Sequence, residues 1–106
     1  MKELHLKLFG TMAVRITCIK RDDGFHENHY TAITDLGWAN EASGAKGLST
    51  RLQIYEFIVS GGEAYVASAQ GGKIKVTIGE TAKGTKYVKT HPDESVDDDL
   101  LFLPQC

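Results

Sequence analysis

The sequence predicts an α+β domain in which a curled, mostly antiparallel sheet of about five strands packs against one helix. Three observations lead to this prediction. Short runs of alternating apolar and polar residues lie on both sides of one segment with helical spacing. Glycine-containing breaks separate these runs. The chain has 106 residues, of which 42% are hydrophobic and 25% charged, which fits a single globular domain.

The first strand of the domain is rich in β-branched residues and is expected to turn Val14, Ile16 and Cys18 inward. Residues 1–11 also alternate, so they form either an N-terminal extension or an edge strand. The domain itself is therefore expected to occupy residues 12–106.

A second strand is expected over residues 30–38. Ile33 and Leu36 break strict alternation there, and a bulge near Gly37 or an edge position would account for the break. Residues 39–47 contain two glycines and are expected to form a loop.

The one helix is expected over residues 50–59. Thr50 is a suitable N-cap, and Gln53 three residues later completes a capping box. The face expected to be buried consists of Leu52, Tyr55, Ile58 and Val59. Glycines at 61–62 are expected to end the helix, because glycine adopts the left-handed conformation that helix ends favour.

Three strands are expected after the helix, at residues 63–69, 73–78 and 86–90, with a tight turn at 70–72. The predicted order is β-β-α-β-β-β, with an extra N-terminal strand if residues 1–11 pair with the sheet.

The chain closes with large apolar residues at 100–103, directly after an acidic run. Termini are usually polar and frayed unless they are docked, so this segment is expected to pack against the sheet. The net charge is −2, but residues 93–106 contain five acidic residues and no basic one. This acidic segment is able to cover a basic surface of the same chain.

No apolar stretch is long enough to span a bilayer, and the N-terminus lacks the apolar core of a secretion signal. We therefore expect a cytoplasmic protein with no membrane contact. Cys18 and Cys106 are too few for a secreted disulfide scaffold. They could bond if the terminal segment docked beside the first strand with Cα atoms within about 7 Å, but a reducing cytoplasm argues against a structural bond.

The basic segment at residues 73–89 is the best candidate for a binding surface, because it contains five lysines and one acidic residue. The candidate binding residues are Lys73, Lys75, Lys86, Tyr87 and Lys89, together with His29 and Trp38 from the loop region. A lysine-bearing sheet with an aromatic side chain can hold phosphates and stack a base. Exposed lysines also protect strands from edge-to-edge association, and this role is favoured because nucleic-acid-binding domains usually have a clear basic excess.

Two histidines, His26 and His29, are three residues apart and offer two ligands for Zn²⁺, with His91 or a cysteine to complete the shell. No Cys-x-x-Cys pair accompanies them, so we expect no metal site and no cofactor. A capping or turn role is expected for His29. Trp38 is expected to be a core residue whose indole N–H finds a carbonyl.

Several blocks of the sequence occur at a characteristic separation. They are Val14–Ile19, His29, Ile33, Leu36 with Gly37-Trp38, Lys86–Thr90 and Asp99–Cys106. Together they resemble a family of small bacterial proteins known only as a domain of unknown function, although Gln105 stands where an acidic residue is expected. The resemblance covers residues 13–106 and implies Met12 as the biological start. It implies no activity, substrate or cofactor.

The sequence therefore favours a non-enzymatic binding or protein-interaction module, with a protein partner or self-association. Nucleic-acid binding through residues 73–89 is the alternative. A metal- or thiol-dependent activity that uses His26 and His29, or Cys18 and Cys106, is the second alternative.

Overall fold

A computed structural model describes residues 13–24, 26–68, 71–90 and 99–106. In order, its elements are β1 (Ala13–Arg21), β2 (Ile33–Ala39), β3 (Lys46–Thr50), α1 (Arg51–Val59), β4 (Glu63–Ala67), β5 (Lys73–Lys75), β6 (Thr77–Glu80), β7 (Lys86–Lys89) and a 3₁₀ helix (Asp99–Phe102). The expected extension or strand at residues 1–11 and the acidic residues 93–98 lie outside the described residues.

The five strands β3-β2-β1-β4-β5, in that spatial order, form one mixed sheet, and β6 and β7 form a separate antiparallel ribbon. The α+β class is confirmed. All neighbours in the larger sheet are antiparallel except β1 and β4, which are parallel. Helix α1 connects β3 to β4 as a crossover, the kind of connection that parallel strands require. The predicted strand order is wrong, since it placed all three late strands in one meander.

Two strand boundaries differ from the prediction. Strand β3 begins at Lys46, inside the segment predicted as a loop, and pairs with β2 along its whole length. The strand predicted over residues 73–78 is two strands, interrupted at Val76. The Val76 side chain is fully buried, and its N–H donates to the carbonyl of Ala64 at 2.8 Å. Val76 therefore connects β5, at the edge of the larger sheet, to β6 in the ribbon.

Helix α1 starts as predicted, because Thr50 and Gln53 form the reciprocal bonds of a capping box. Its predicted buried face is confirmed in part, because Tyr55 and Ile58 pack against the core as partly buried side chains. The prediction is wrong for the other two residues of that face. Ile54 and Phe57 are buried, whereas Leu52 and Val59 are 47% and 59% exposed. Apolar residues recur at helical spacing on two adjacent faces of this nine-residue helix. The spacing alone therefore does not show which face is buried.

The helix and the ribbon are fastened to the same face of the sheet. Nη1 of Arg51 donates to the carbonyls of Thr31 and Ile33, at 2.5 and 2.8 Å, and Nε donates to the carbonyl of Lys86 at 3.0 Å. The rings of Tyr30 and Tyr87 stack with centroids 5.4 Å apart. One charged side chain and one aromatic pair therefore tie the ribbon to the sheet.

The C-terminal segment docks as predicted. Leu100 and Leu101 are buried, although Phe102 is 69% exposed. Farther along, the amide of Ile19 donates to the carbonyl of Pro104 at 3.0 Å, and the amide of Cys106 donates to the carbonyl of Ile19 at 3.1 Å. The chain end thus lies beside β1 as a short parallel bridge. No helix in the described residues is both long and apolar enough to cross a membrane.

Candidate binding surface

The larger sheet has one buried face and one face that α1 and the ribbon leave uncovered, which we call the open face. The buried face includes Val14, Ile16 and Ile19 of β1, all at most 1% exposed. The predicted inward orientation of Cys18 is wrong, because the β1–β2 register shifts between Ile16 and Cys18 and reverses the alternation. The irregularity opposite Gly37 lies in β1, where Thr17 is the extra residue before the Cys18–Gly37 pair. The bulge that interrupts the alternation of β2 is at Thr34, between Ile33 and Asp35, rather than at Gly37.

A row of directly paired residues crosses the open face from edge to edge. Arg15 pairs with Ala39 on one side and with Tyr65 on the other. Ala39 pairs in turn with Lys46, and Tyr65 with Lys75. Paired residues point to the same face of a sheet, so these five side chains form one line, which we call the cross-sheet row. At the usual strand separation it spans about 19 Å.

The centre of the cross-sheet row is a hydrogen-bonded triad. Nε of Arg15 lies 3.0 Å from Oε2 of Glu41, and the hydroxyl of Tyr65 donates to Oε1 of the same carboxylate at 2.7 Å. The hydrogen bond from the Tyr65 hydroxyl is the main cause that lowers the pKa of Glu41, and the hydrogen bond from Arg15 lowers it further. The Tyr65–Glu41 hydrogen bond also raises the pKa of Tyr65. The triad therefore neutralises Arg15 and fixes the orientation of the Tyr65 ring.

Lysines surround this triad. Nζ of Lys73 lies 4.5 Å from the centroid of the Tyr65 ring, a cation–π contact. A depression of about 350 Å³ opens beside the ring, with Lys73, Lys75 and Glu63 among its lining residues. Flexible lysine stems at such a site can turn from the ring to an incoming ligand.

Four lysines of the open face make no ion pair with any residue in the described ranges; they are Lys20, Lys46, Lys73 and Lys75. Besides Glu41, two carboxylates share the face, since Asp35 pairs in register with Lys20 and Glu63 lies near Lys73. The open face thus has an excess of positive charge, in a protein whose net charge is −2.

The basic segment at residues 73–89, predicted as one binding surface, is divided between two parts of the structure. Lys73 and Lys75 lie on the open face, but Lys86, Tyr87 and Lys89 belong to β7 in the ribbon. Lys86 is exposed, with its Nζ 6.0 Å from the centroid of the Tyr55 ring. The expectation of a surface tyrosine beside Lys89 is wrong, because Tyr87 is only 1% exposed and packs on Tyr30.

His29 and Trp38 also lie apart from these lysines. His29 is exposed in the turn before β2. Trp38 is buried as expected, but its indole N–H donates to Oγ of Ser49 at 3.0 Å rather than to a carbonyl. Nε2 of His26 lies 3.4 Å from a carboxylate oxygen of Asp22. Among the described residues, no group of three or more His, Cys, Asp or Glu side chains is arranged to hold a metal ion.

Apart from Ala39, three residues of the cross-sheet row were not predicted as site residues: Arg15, Lys46 and Tyr65. The sequence pattern did indicate that Tyr65 faces outward, because it alternates with the buried residues Ala64 and Val66. The parallel pairing that sets it beside Arg15 joins residues 50 positions apart, and no local pattern encodes such a pairing.

The two cysteines are joined by a disulfide, the bond that the sequence allowed for a docked terminal segment but that a reducing cytoplasm disfavours. Cys18 and Cys106 have Cα atoms 4.9 Å apart. Gly37 makes room for the bridge, because a Cβ at this position would overlap Sγ of Cys18 and lie 3.3 Å from Sγ of Cys106. The bridge borders a second depression of the open face, about 590 Å³ in volume, which Arg15, Lys20 and Lys46 also line.

Comparison with known proteins places this chain next to a family without an assigned activity. The family profile DUF3892, described as a protein of unknown function, matches residues 15–104. No curated protein and no solved structure matches the chain.

Proposed function

The chain belongs to the DUF3892 family, and we propose that it is a non-enzymatic binding module whose contact surface is the open face of the five-stranded sheet. The observation that carries this proposal is the cross-sheet row, in which Arg15 and Tyr65 lie between the terminal lysines Lys46 and Lys75. The α-helix and the ribbon lie on the opposite face of the sheet, so among the described residues these two elements leave the open face uncovered.

The charge of the open face favours an anionic partner. Charged surfaces select partners of opposite sign and accelerate their association. Because Glu41 already occupies Arg15, the lysines Lys46, Lys73 and Lys75 are the groups that would meet the partner. An acidic protein segment fits this description. The cytoplasmic location and the self-association expected from the sequence remain predictions, and light scattering over a range of concentrations tests the second.

Single-stranded nucleic acid is the second candidate partner, and Tyr65 favours it. Its ring stands in a line of cations on an exposed sheet, the arrangement in which a base can stack while lysines hold phosphates. The base would replace the Lys73 ammonium over the ring, and Lys73 would turn to a phosphate. The chain as a whole has no basic excess, so we rank this candidate second.

The experiment compares two variants that remove the same charge from different surfaces. The double variant Lys46→Gln/Lys75→Gln alters the open face, and Lys83→Gln/Lys86→Gln alters the ribbon and its turn. Binding of an acidic peptide and of a single-stranded oligonucleotide is measured against ionic strength by fluorescence anisotropy. We expect binding that salt weakens and that only the open-face variant impairs.

The two partners give different results. For the oligonucleotide, the open-face variant should lower the slope of log affinity against log salt by about 1.4, since each single-strand phosphate contact contributes about 0.7. Tyr65→Ala should cost about 1–3 kcal/mol while Tyr65→Phe retains the stacking. For an acidic peptide, Tyr65→Ala should have little effect. Equal losses in the open-face and ribbon variants would reject the open face as the contact surface.

A further inference from the structure

The disulfide between Cys18 and Cys106 is asymmetric in its surroundings. Cys106 is exposed, whereas Cys18 is half-buried in β1. The hydroxyl of Thr17 donates a hydrogen bond to Sγ of Cys18, with an oxygen–sulfur distance of 3.8 Å. An incoming nucleophile therefore reaches Sγ of Cys106 more easily, and the sulfur that would depart has a hydrogen-bond donor beside it.

We propose that this disulfide is a thiol-exchange site for small anionic thiols. The thiolate of the incoming molecule attacks Sγ of Cys106 and forms a mixed disulfide there, while the bond to Cys18 breaks and its electron pair leaves on Sγ of Cys18 as a thiolate. A hydrogen bond to the charged form stabilises a thiolate, and a better leaving group departs faster. Thr17 is thus a positioning residue for the departing Cys18 sulfur. A second equivalent of thiol releases Cys106 and carries away the incoming group as its own symmetric disulfide.

The charge around the bridge selects the thiol. Arg15, Lys20 and Lys46 line the depression that the two sulfurs border. Arg15 is bound to Glu41, but Lys20 and Lys46 make no ion pair with any described residue. These two ammonium groups complement a thiol that carries carboxylates, such as glutathione, and repel a cationic one.

The packing of the chain end allows exchange without unfolding. Pro104 and Cys106 are held to Ile19 by two backbone hydrogen bonds, so this short piece can open locally. Leu100 and Leu101 remain buried and keep the preceding 3₁₀ helix in place. Exchange would therefore free only the last few residues beside β1. This inference needs no macromolecular partner and does not depend on the proposed function.

The experiment exposes the folded, oxidised protein to three thiols of different charge: reduced glutathione, 2-mercaptoethanol and cysteamine. Intact-mass spectrometry follows the mixed disulfide, peptide mapping locates it, and each rate is divided by the thiolate concentration of that thiol. We expect the adduct on Cys106. At low ionic strength we expect glutathione to react about tenfold faster than the neutral thiol, the lower end of electrostatic rate enhancement, and cysteamine to react more slowly than both.

Variants separate the parts of the proposal. Lys20→Gln/Lys46→Gln should remove the preference for glutathione and leave the rate of the neutral thiol unchanged, and Lys83→Gln/Lys86→Gln should change neither. Thr17→Val should slow all three thiols. An adduct on Cys18, a reaction seen only in denatured protein, or a glutathione preference that survives the loss of Lys20 and Lys46 would overturn the proposal. The wild-type series decides the first two points even if a variant does not fold.

Discussion

Individual contacts at Gly37 and Glu41 determine how the open face is built. Gly37 leaves the space that Sγ of Cys18 occupies opposite it in the neighbouring strand. Glu41 lies just beyond β2, where the side chain of Asn40 accepts hydrogen bonds from the amides of Ala42 and Ser43 and fixes the turn. The absence of a side chain at Gly37 thus makes room for the disulfide, and the Glu41 carboxylate holds the Tyr65 ring.

Replacement of Gly37 by alanine should prevent the disulfide from forming. The added Cβ would occupy the position of Sγ of Cys18, and the backbone around it is too ordered for both to fit. Counting thiols in denatured, unreduced protein should find both cysteines free, whereas the wild type should have none. Gly72→Ala is the matched control, because nothing lies within 4 Å of its Cβ position. An intact disulfide in Gly37→Ala would show that the space at this position is not needed.

The elements show which features a sequence reveals. The capping box of α1, the glycine stop after it and the presence of strands at the positions of β4 and β7 are local features, and these predictions succeeded. The full burial of Ile54 and Phe57 and the break between strands at Val76 depend on what packs against each element, and the sequence did not predict them. The cross-sheet row depends on the parallel pairing of β1 with β4. For this reason Lys73 and Lys75 were identified in advance, while Arg15 and Tyr65 were not.

Arg51 joins α1 to both the sheet and β7. Arg51→Met keeps most of the side-chain length but removes the donors to the carbonyls of Thr31, Ile33 and Lys86. Hydrogen bonds from a charged group contribute about 1.5–3 kcal/mol, and we expect the free energy of unfolding in urea to fall by about this amount. Hydrogen exchange should also accelerate in β7. Unchanged exchange in β7 would mean that the Tyr30–Tyr87 stack alone secures the ribbon.

The whole molecule is closed by its C-terminal segment, which returns to the first strand of the domain. Leu100 is fully buried, whereas Phe102 is 69% exposed two residues later. Leu100→Ala should therefore lower the free energy of unfolding by about 2–5 kcal/mol, and Phe102→Ala should change it by no more than about 0.5 kcal/mol. Urea denaturation of both variants under oxidising conditions measures the difference. Similar effects at the two positions would contradict a docked terminus.

The distribution of charge is also a property of the whole molecule. The protein is slightly acidic overall, yet one face of its main sheet concentrates lysines around a hydrogen-bonded tyrosine. The opposite face is occupied by α1 and the ribbon, which stabilise the fold. One face of the sheet thus stabilises the fold, and the other is the proposed contact surface.

Backbone NMR of the labelled protein, titrated with an acidic peptide and separately with a single-stranded oligonucleotide, shows which face of the sheet binds a ligand. We predict that at least one ligand shifts the amide resonances of Lys46, Arg15, Tyr65 and Lys75 in saturable fashion and leaves those of Lys83 and Lys86 unchanged. Shifts confined to the ribbon and helix, or no saturable shift on the open face with either ligand, would contradict it.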